Sequence, residues 1–115
     1  MYRSYKTIMK KVRLYYFTWF DEIDCYFRYW KEGIFLSKES LKQIQSKLED
    51  SHYLLIFEYN ITEKCFMQIV NDINNLGRFI PERLRYYLKT RKFIGAITSN
   101  TDIDTFIDKK EKHNF

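Results

Sequence analysis

Residues 11–20 read KVRLYYFTWF, a run of aromatic, β-branched and basic side chains without glycine or proline. This composition favours a β-strand. Side chains alternate across a strand, so the run has two faces. One face carries Val12, Leu14, Tyr16, Thr18 and Phe20, and the other carries Arg13, Tyr15, Phe17 and Trp19. We predict that this run is the first strand of a hairpin.

The hairpin turn and its returning strand follow directly. The acidic run 21–24, DEID, is the natural turn. Residues 25–36 then read as the second strand, in which Gly33 is the candidate bulge. The sequence therefore opens with two antiparallel strands.

Capping signals mark the first two helices. Ser37 is a good helix N-cap, and Leu36 with Leu41 fits a hydrophobic staple. This helix is expected to end near Asp50. Residues 52–59, HYLLIFEY, are the most apolar segment and predict a central strand. Thr62 then caps a second helix, which is expected to end at Gly77 in a left-handed conformation.

The last third of the chain predicts two more helices around a short strand. Pro81 suits the first turn of a helix that runs to about Lys92. Its buried stripe is expected to be Leu84, Tyr87 and Leu88. Residues 93–98 are the strand candidate, and Thr101 caps a final helix.

The predicted element order is β-β-α-β-α-α-β-α. It indicates an α+β fold in which three to four helices pack on one face of a small, mostly antiparallel four-stranded sheet. The sheet consists of the N-terminal hairpin and two further strands. Residues 1–115 are expected to form one domain, with a basic N-terminal extension at 1–9 and a frayed tail at 109–115.

Positive charge is concentrated in two parts of the chain. Residues 1–14 hold five bases and no acid, and residues 78–92 hold six bases and one acid, Glu82. The intervening residues 15–77 are net acidic. Such asymmetry can steer an anionic partner, although a solvated, solubilising surface explains it as well.

The second concentration, residues 78–92, is hereafter the basic segment. On an α-helix, Arg85, Lys89 and Lys92 would lie on one face at i, i+4 and i+7. Contact with phosphates needs several cations on one face. An acidic protein surface would be served equally well. The candidate binding residues here are Arg78, Arg83, Arg85, Lys89, Arg91 and Lys92.

The hairpin provides a second candidate surface. Rings interleaved with arginine on an open sheet suit base stacking and phosphate contact. The candidate residues are Arg13, Trp19, Arg28 and Trp30. The glycine- and aromatic-rich motif of sheet-platform RNA binders is absent. A sheet buried on both faces, or a homodimer through the first two strands, remains open as an alternative.

Several function classes find no support in the sequence. No apolar run approaches the roughly 20 residues of a spanning helix, and the N-terminus does not resemble a signal peptide. Two cysteines and two histidines, all widely separated, do not match a zinc site. No nucleotide-binding, hydrolase or metalloprotease motif occurs. We therefore expect a cytoplasmic protein without catalytic residues, metal, cofactor or membrane contact.

These observations lead to one functional hypothesis and two alternatives. The hypothesis is a small inhibitor, of phage or mobile-element type, that acts on a nucleic-acid-guided nuclease or another ribonucleoprotein in the host cytoplasm, as an anti-CRISPR protein does. Its support is a short chain rich in interface-type residues with concentrated cations. The alternatives are a stand-alone RNA- or DNA-binding module, and an antitoxin or immunity protein with a protein partner.

Overall fold

The computed structural model describes residues 11–23 and 26–112. These residues form four strands, three α-helices and one 3-10 helix. The elements are β1 (Lys11–Ile23), β2 (Tyr26–Phe35), α1 (Lys38–Gln45), β3 (His52–Thr62), α2 (Glu63–Leu76), the 3-10 helix (Pro81–Thr90), β4 (Lys92–Ile97) and α3 (Ile103–Lys112). The predicted α+β class and element order are confirmed. The predicted extension at 1–9 and the last three residues of the predicted tail lie outside the described residues.

The four strands form one antiparallel sheet in the order β2-β1-β3-β4. The two longest strands, β1 and β3, are central, and they pair without a register shift from Lys11 opposite Thr62 to Asp21 opposite His52. The regular pairing places odd-numbered residues of β1 on the same face as even-numbered residues of β3. The two faces of the sheet can therefore be followed from one end to the other.

Helices cover both faces of the sheet, whereas the sequence predicted helices on one face. On the first face, α1 and α3 enclose a cluster that includes Phe17, Trp19, Leu54 and Ile56. On the second face, α2 and the 3-10 helix enclose a cluster that includes Leu14, Tyr16, Tyr59 and Ile61. The physical reason is the sequence of β1 itself, because large apolar side chains on both faces need burial on both sides.

Side-chain caps set most helix boundaries. The Ser37 hydroxyl accepts the backbone N–H of Ser40 at 3.1 Å, and the Thr62 hydroxyl accepts that of Cys65 at 3.1 Å. Both caps were predicted. Leu36 is exposed, so the predicted staple does not form. At α3, Asp102 rather than Thr101 accepts the first-turn N–H, from Thr105. This helix continues to Lys112, where the sequence predicted fraying.

The bulge of the hairpin lies at Trp30 and not at Gly33. Trp19 pairs with Lys31 and Phe20 with Tyr29, which leaves Trp30 as the extra residue of β2. Gly33 has a packing role instead, because a Cβ atom there would lie 2.9 Å from Cζ of Phe17. The absence of a side chain at this position lets the Phe17 ring cross β2.

Among the described residues, no helix combines the length and the apolar character that crossing a membrane requires.

Gly95 tests the packing of α3 on β4. Its φ is +146°, and a Cβ atom would lie 2.7 Å from Cε2 of Phe106. We expect Gly95→Ala to lower the free energy of unfolding by about 3 kcal/mol, since it combines backbone strain with overpacking. Gly77→Ala is the control, because that glycine has φ +70° with no atom within 4 Å. It should lose only about 1 kcal/mol. Urea denaturation measures both, and equal losses would contradict the packing argument.

Candidate functional site

The hairpin face predicted to be open is a core face. Trp19 is only 5% exposed, and Phe17 is buried beside it under α1 and α3. The Trp19 ring meets His52 edge-on and carries the Lys31 ammonium 4.6 Å from its centroid. Trp19 is therefore a core residue, and the Lys31 ammonium covers one face of its ring. The prediction that Trp19 lies on an open face of the sheet is wrong.

Arg13 and Arg28, the other predicted hairpin residues whose side chains the structure describes, do not lie together around Trp19. The Arg13 guanidinium lies 3.5 Å from the buried carboxylate of Glu58. Arg28 is exposed on β2 opposite Asp21. Trp30 occupies the bulge, and its side chain lies outside the described part of the structure. Arg13 and Arg28 are thus separated by most of the length of the hairpin.

The second face of the sheet contains the open aromatic surface instead. Beyond the last residues packed under α2 and the 3-10 helix, three rings from three neighbouring strands lie in one row. Phe20 is central, 5.9 Å from Tyr29 in an edge-to-face contact and 5.9 Å from Tyr53 in a nearly parallel one. Tyr29 is 49% exposed, and the other two rings are half-buried. None of the three belongs to either described core cluster.

Partly exposed side chains continue this surface towards the basic segment. The next row of the sheet holds Glu32, Thr18, Leu55 and Ala96, which are half-buried or exposed. We call Thr18, Leu55 and Ala96, with Phe20, Tyr29 and Tyr53, the open face, which Glu32 borders on β2. The following row contains Phe57 and Phe93, whose rings lie 5.6 Å apart. The guanidinium of Arg91 lies 4.5 Å above the Phe57 ring. A cation therefore borders the open face directly.

The basic segment is a 3-10 helix, not the predicted α-helix. In a 3-10 helix, residues three apart lie on one side, so Leu84 and Tyr87 face the sheet while Leu88 is 48% exposed. Arg85 and Lys89, four apart, diverge by about 120° instead of lying together. Lys92 already belongs to β4. The predicted single row of three cations is therefore wrong.

Arg83 is held by an acid. Its Nε lies 2.7 Å and its second guanidinium nitrogen 3.2 Å from the two carboxylate oxygens of Asp72. This fork holds the 3-10 helix against α2, and the hydrogen bond from Arg83 lowers the pKa of Asp72. Arg83 is therefore a structural cation and a poor candidate for partner contact.

The remaining cations of the basic segment are exposed. Arg78, Arg85, Lys89, Arg91 and Lys92 all face solvent. Tyr86, 88% exposed, and Phe93, 54% exposed, lie among them. Residues 83–101 contain no Asp or Glu. The surface therefore combines positive charge with accessible rings.

A cavity of about 180 Å³ lies where the basic segment crosses the second face. Its lining includes Tyr16, Glu32, Glu82 and Arg85. The Tyr16 hydroxyl donates a hydrogen bond to Glu32. Burial raises the pKa of Glu32, and the nearby charge of Glu82 raises it further. Arg85 therefore shares this cavity with two acids, Glu32 and Glu82, next to the open face.

One polar cluster on the first face contains a serine, an aspartate and a histidine, but their hydrogen bonds differ from those of a catalytic triad. The Ser51 hydroxyl donates to Asp21 at 2.7 Å, and His52 Nε2 lies 3.8 Å from the other oxygen of Asp21. His52 Nδ1 accepts the backbone N–H of Glu49. A nucleophilic serine donates to an imidazole, but Ser51 donates to the carboxylate. These residues connect the end of β1 to the start of β3.

Metal-binding groups and a reactive thiol are equally unsupported at the described positions. No group of three or more potential ligands among His, Cys, Asp and Glu occurs in residues 11–23 and 26–112. Burial raises the pKa of the Cys65 thiol, which favours the unreactive protonated form.

Comparison with known proteins finds no family model, curated protein or solved structure that matches this chain.

The Asp72–Arg83 pair predicts an acid-labile contribution to stability. A carboxyl whose folded-state pKa is lowered stabilises the fold above its ordinary pKa, and this contribution is lost as pH falls through the lowered value. Asp72→Asn should therefore be less stable than the wild type at neutral pH, and the difference should shrink on acidification. Arg83→Gln should behave alike, and the double variant should lose no more than either. Chemical denaturation at a series of pH values measures the free energy of unfolding of each protein. A difference between wild type and Asp72→Asn that stays constant as pH falls would contradict the prediction.

Proposed function

We propose that this protein is a non-enzymatic binding protein that recognises RNA, alone or within a ribonucleoprotein, through the open face and the basic segment. The observation that carries the proposal is the juxtaposition of partly exposed rings with exposed cations. Arg91 over Phe57, and Arg85 beside Glu32, border the open face at two points. Phosphate contact needs the cations and base stacking needs the rings.

The proposal extends to an inhibitory role. A small protein that occupies guide RNA, or the channel that holds it, would block a nucleic-acid-guided nuclease without chemistry of its own. An anti-CRISPR-like protein of phage or mobile-element origin, acting in the host cytoplasm, is the specific form we propose. Its support is the exposed cations of the basic segment, which suit an anionic guide RNA.

A protein partner is the second candidate, as for an antitoxin or immunity protein. Leu88 is 48% exposed and lies between Tyr86 and Lys89 on the basic segment. Leu88 also lines the same cavity as Arg85, and an exposed aliphatic side chain beside tyrosine and arginine suits the centre of a protein interface. An acidic protein surface would then face the cations.

Charge reversal of the exposed cations tests the proposal. We expect Arg85→Glu, Lys89→Glu and Lys92→Glu, combined, to weaken binding of a fluorescein-labelled RNA at least about 10-fold. The slope of log K against log salt should also decrease by about 2, because three phosphate contacts are lost. Fluorescence anisotropy over a salt series measures both. Arg83 is left intact, since its reversal would break the contact with Asp72.

A matched variant controls for net charge. Lys47→Glu, Lys64→Glu and Lys109→Glu make the same change at exposed positions outside the basic segment and the open face. This variant should keep the wild-type affinity and salt slope. Equal loss in both triple variants, or no binding by the wild type at low salt, would reject RNA recognition. A partner captured from lysate that survives nuclease treatment would then favour the protein-binding alternative.

A further inference from the structure

We propose that the ring row of the open face stacks unpaired bases, so that this protein binds single-stranded RNA in preference to duplex. The row consists of Phe20, Tyr29 and Tyr53, and the inference rests on the proposed function. The observations behind it are the position of the rings beyond both core clusters, their mutual contacts, and the Arg91 guanidinium at one end of the face.

The row is a fixed platform. Phe20 and Tyr53 pair across the central strands, and Tyr29 pairs with Phe20 from the edge strand, so three backbones hold the rings side by side. Ring contacts on both sides of Phe20 further limit rotation. A base that stacks here need not order flexible side chains, which reduces the entropic cost of binding. In a duplex the base faces are already stacked on one another and cannot meet the rings.

The distance from the row to Arg91 suits a short stretch of single strand. Tyr53 and Phe57 are four residues apart on β3, which corresponds to about 13 Å. Between them on β3 lies Leu55, flanked by Thr18 and Ala96, and the carboxylate in this row, Glu32, lies one strand further away on β2. A strand with bases on the rings could therefore cross these residues and bring phosphates to Arg91 above Phe57.

Charge favours one side of the ring row for the phosphates. Glu22 lies two residues beyond Phe20 on the same face of β1, and burial together with the charge of Glu22 raises the pKa of Tyr53. Glu22 therefore repels phosphates at the ring end, whereas Arg91 attracts them at the other. The phosphates that flank the stacked bases are therefore favoured on the Arg91 side of the rings, away from Glu22. Duplex RNA presents phosphates along both strands and fits this uneven surface poorly.

Paired ring substitutions test the inference. Tyr29→Leu with Tyr53→Leu removes two π-faces but keeps apolar side chains on the strands. Tyr29→Phe with Tyr53→Phe is the matched control, which keeps both π-faces and removes the same two hydroxyls. For each protein, anisotropy measures the affinity for one labelled RNA, single-stranded and annealed to its complement, at the same salt. Urea denaturation verifies folding, and Tyr29→Leu alone, at an exposed edge position, serves if the double variant is unstable.

The wild type and the phenylalanine variant should bind the single strand at least about 10-fold more tightly than the duplex. The leucine variant should lose most of this ratio, with the duplex affinity unchanged. Equal binding of both RNAs by the wild type, or an unchanged ratio in the leucine variant, overturns the ring proposal while RNA recognition stands. Failure of the wild type to bind either RNA overturns the proposed function and this inference together.

Discussion

The first strand carries large apolar side chains on both of its faces, and the rest of the architecture follows from the need to bury them. Leu14 and Tyr16 lie on one side, Phe17 and Trp19 on the other, and all four are buried. Such a strand needs a packed layer on each face of the sheet, because exposure of either face would sacrifice several kcal/mol of burial (about 2 kcal/mol for each large side chain). Helices therefore form a layer on each face of the sheet, in which β1 pairs with β2 and β3.

The two helical layers differ in how far they extend along β1, and this difference creates the candidate site. Under α1 and α3 the core reaches Trp19, near the hairpin end. Under α2 and the 3-10 helix it stops near Tyr16 and Phe57. The chain leaves the 3-10 helix at Thr90 and enters β4 at Lys92, opposite Glu58, so this layer ends before the last rows of the sheet. Phe20 and Tyr53 lie just beyond it, and the exposed cations lie at its edge.

Local signals in the sequence were sufficient for the elements but not for their orientation. Ser37, Thr62 and Gly77 act through contacts within a few residues, so their roles could be predicted from spacing alone. The side of the hairpin that faces solvent depends on where distant helices pack, which no local pattern encodes. Period-two alternation identified two faces of β1, and the choice of the Trp19 face as the outer one was wrong. The row that is open begins at Phe20, on the face expected to be inside.

The sequence pattern of the basic segment does not distinguish a 3-10 helix from an α-helix. Pro81 and the leucines of the basic segment are compatible with either an α- or a 3-10 helix, since both conformations bury Leu84 and place Tyr87 near the sheet. The difference of about 20° per residue accumulates to about 80° over the four residues from Arg85 to Lys89. These two side chains would therefore lie together on an α-helix but diverge on a 3-10 helix. A candidate site built from i, i+4 spacing is therefore more sensitive to helix type than the fold is. The cations of the basic segment are exposed, including Arg83 in its fork with Asp72, but Arg85, Lys89 and Lys92 do not form the predicted row.

The relation between these cations and the open face bears on what kind of partner could be recognised. Rings alone would serve a protein interface or a homodimer, and cations alone would serve any polyanion. Here Arg91 is held over Phe57, so its charge and an aromatic face belong to one rigid unit beside the ring row. A partner that uses the whole surface must present flat apolar groups and negative charge at short, regular intervals. Single-stranded nucleic acid has this alternation in every nucleotide, whereas a protein partner would have to provide it through a specific arrangement of side chains. The same alternation is independent of base identity, and selectivity for one RNA would then come from the shape of the complex that displays the unpaired strand.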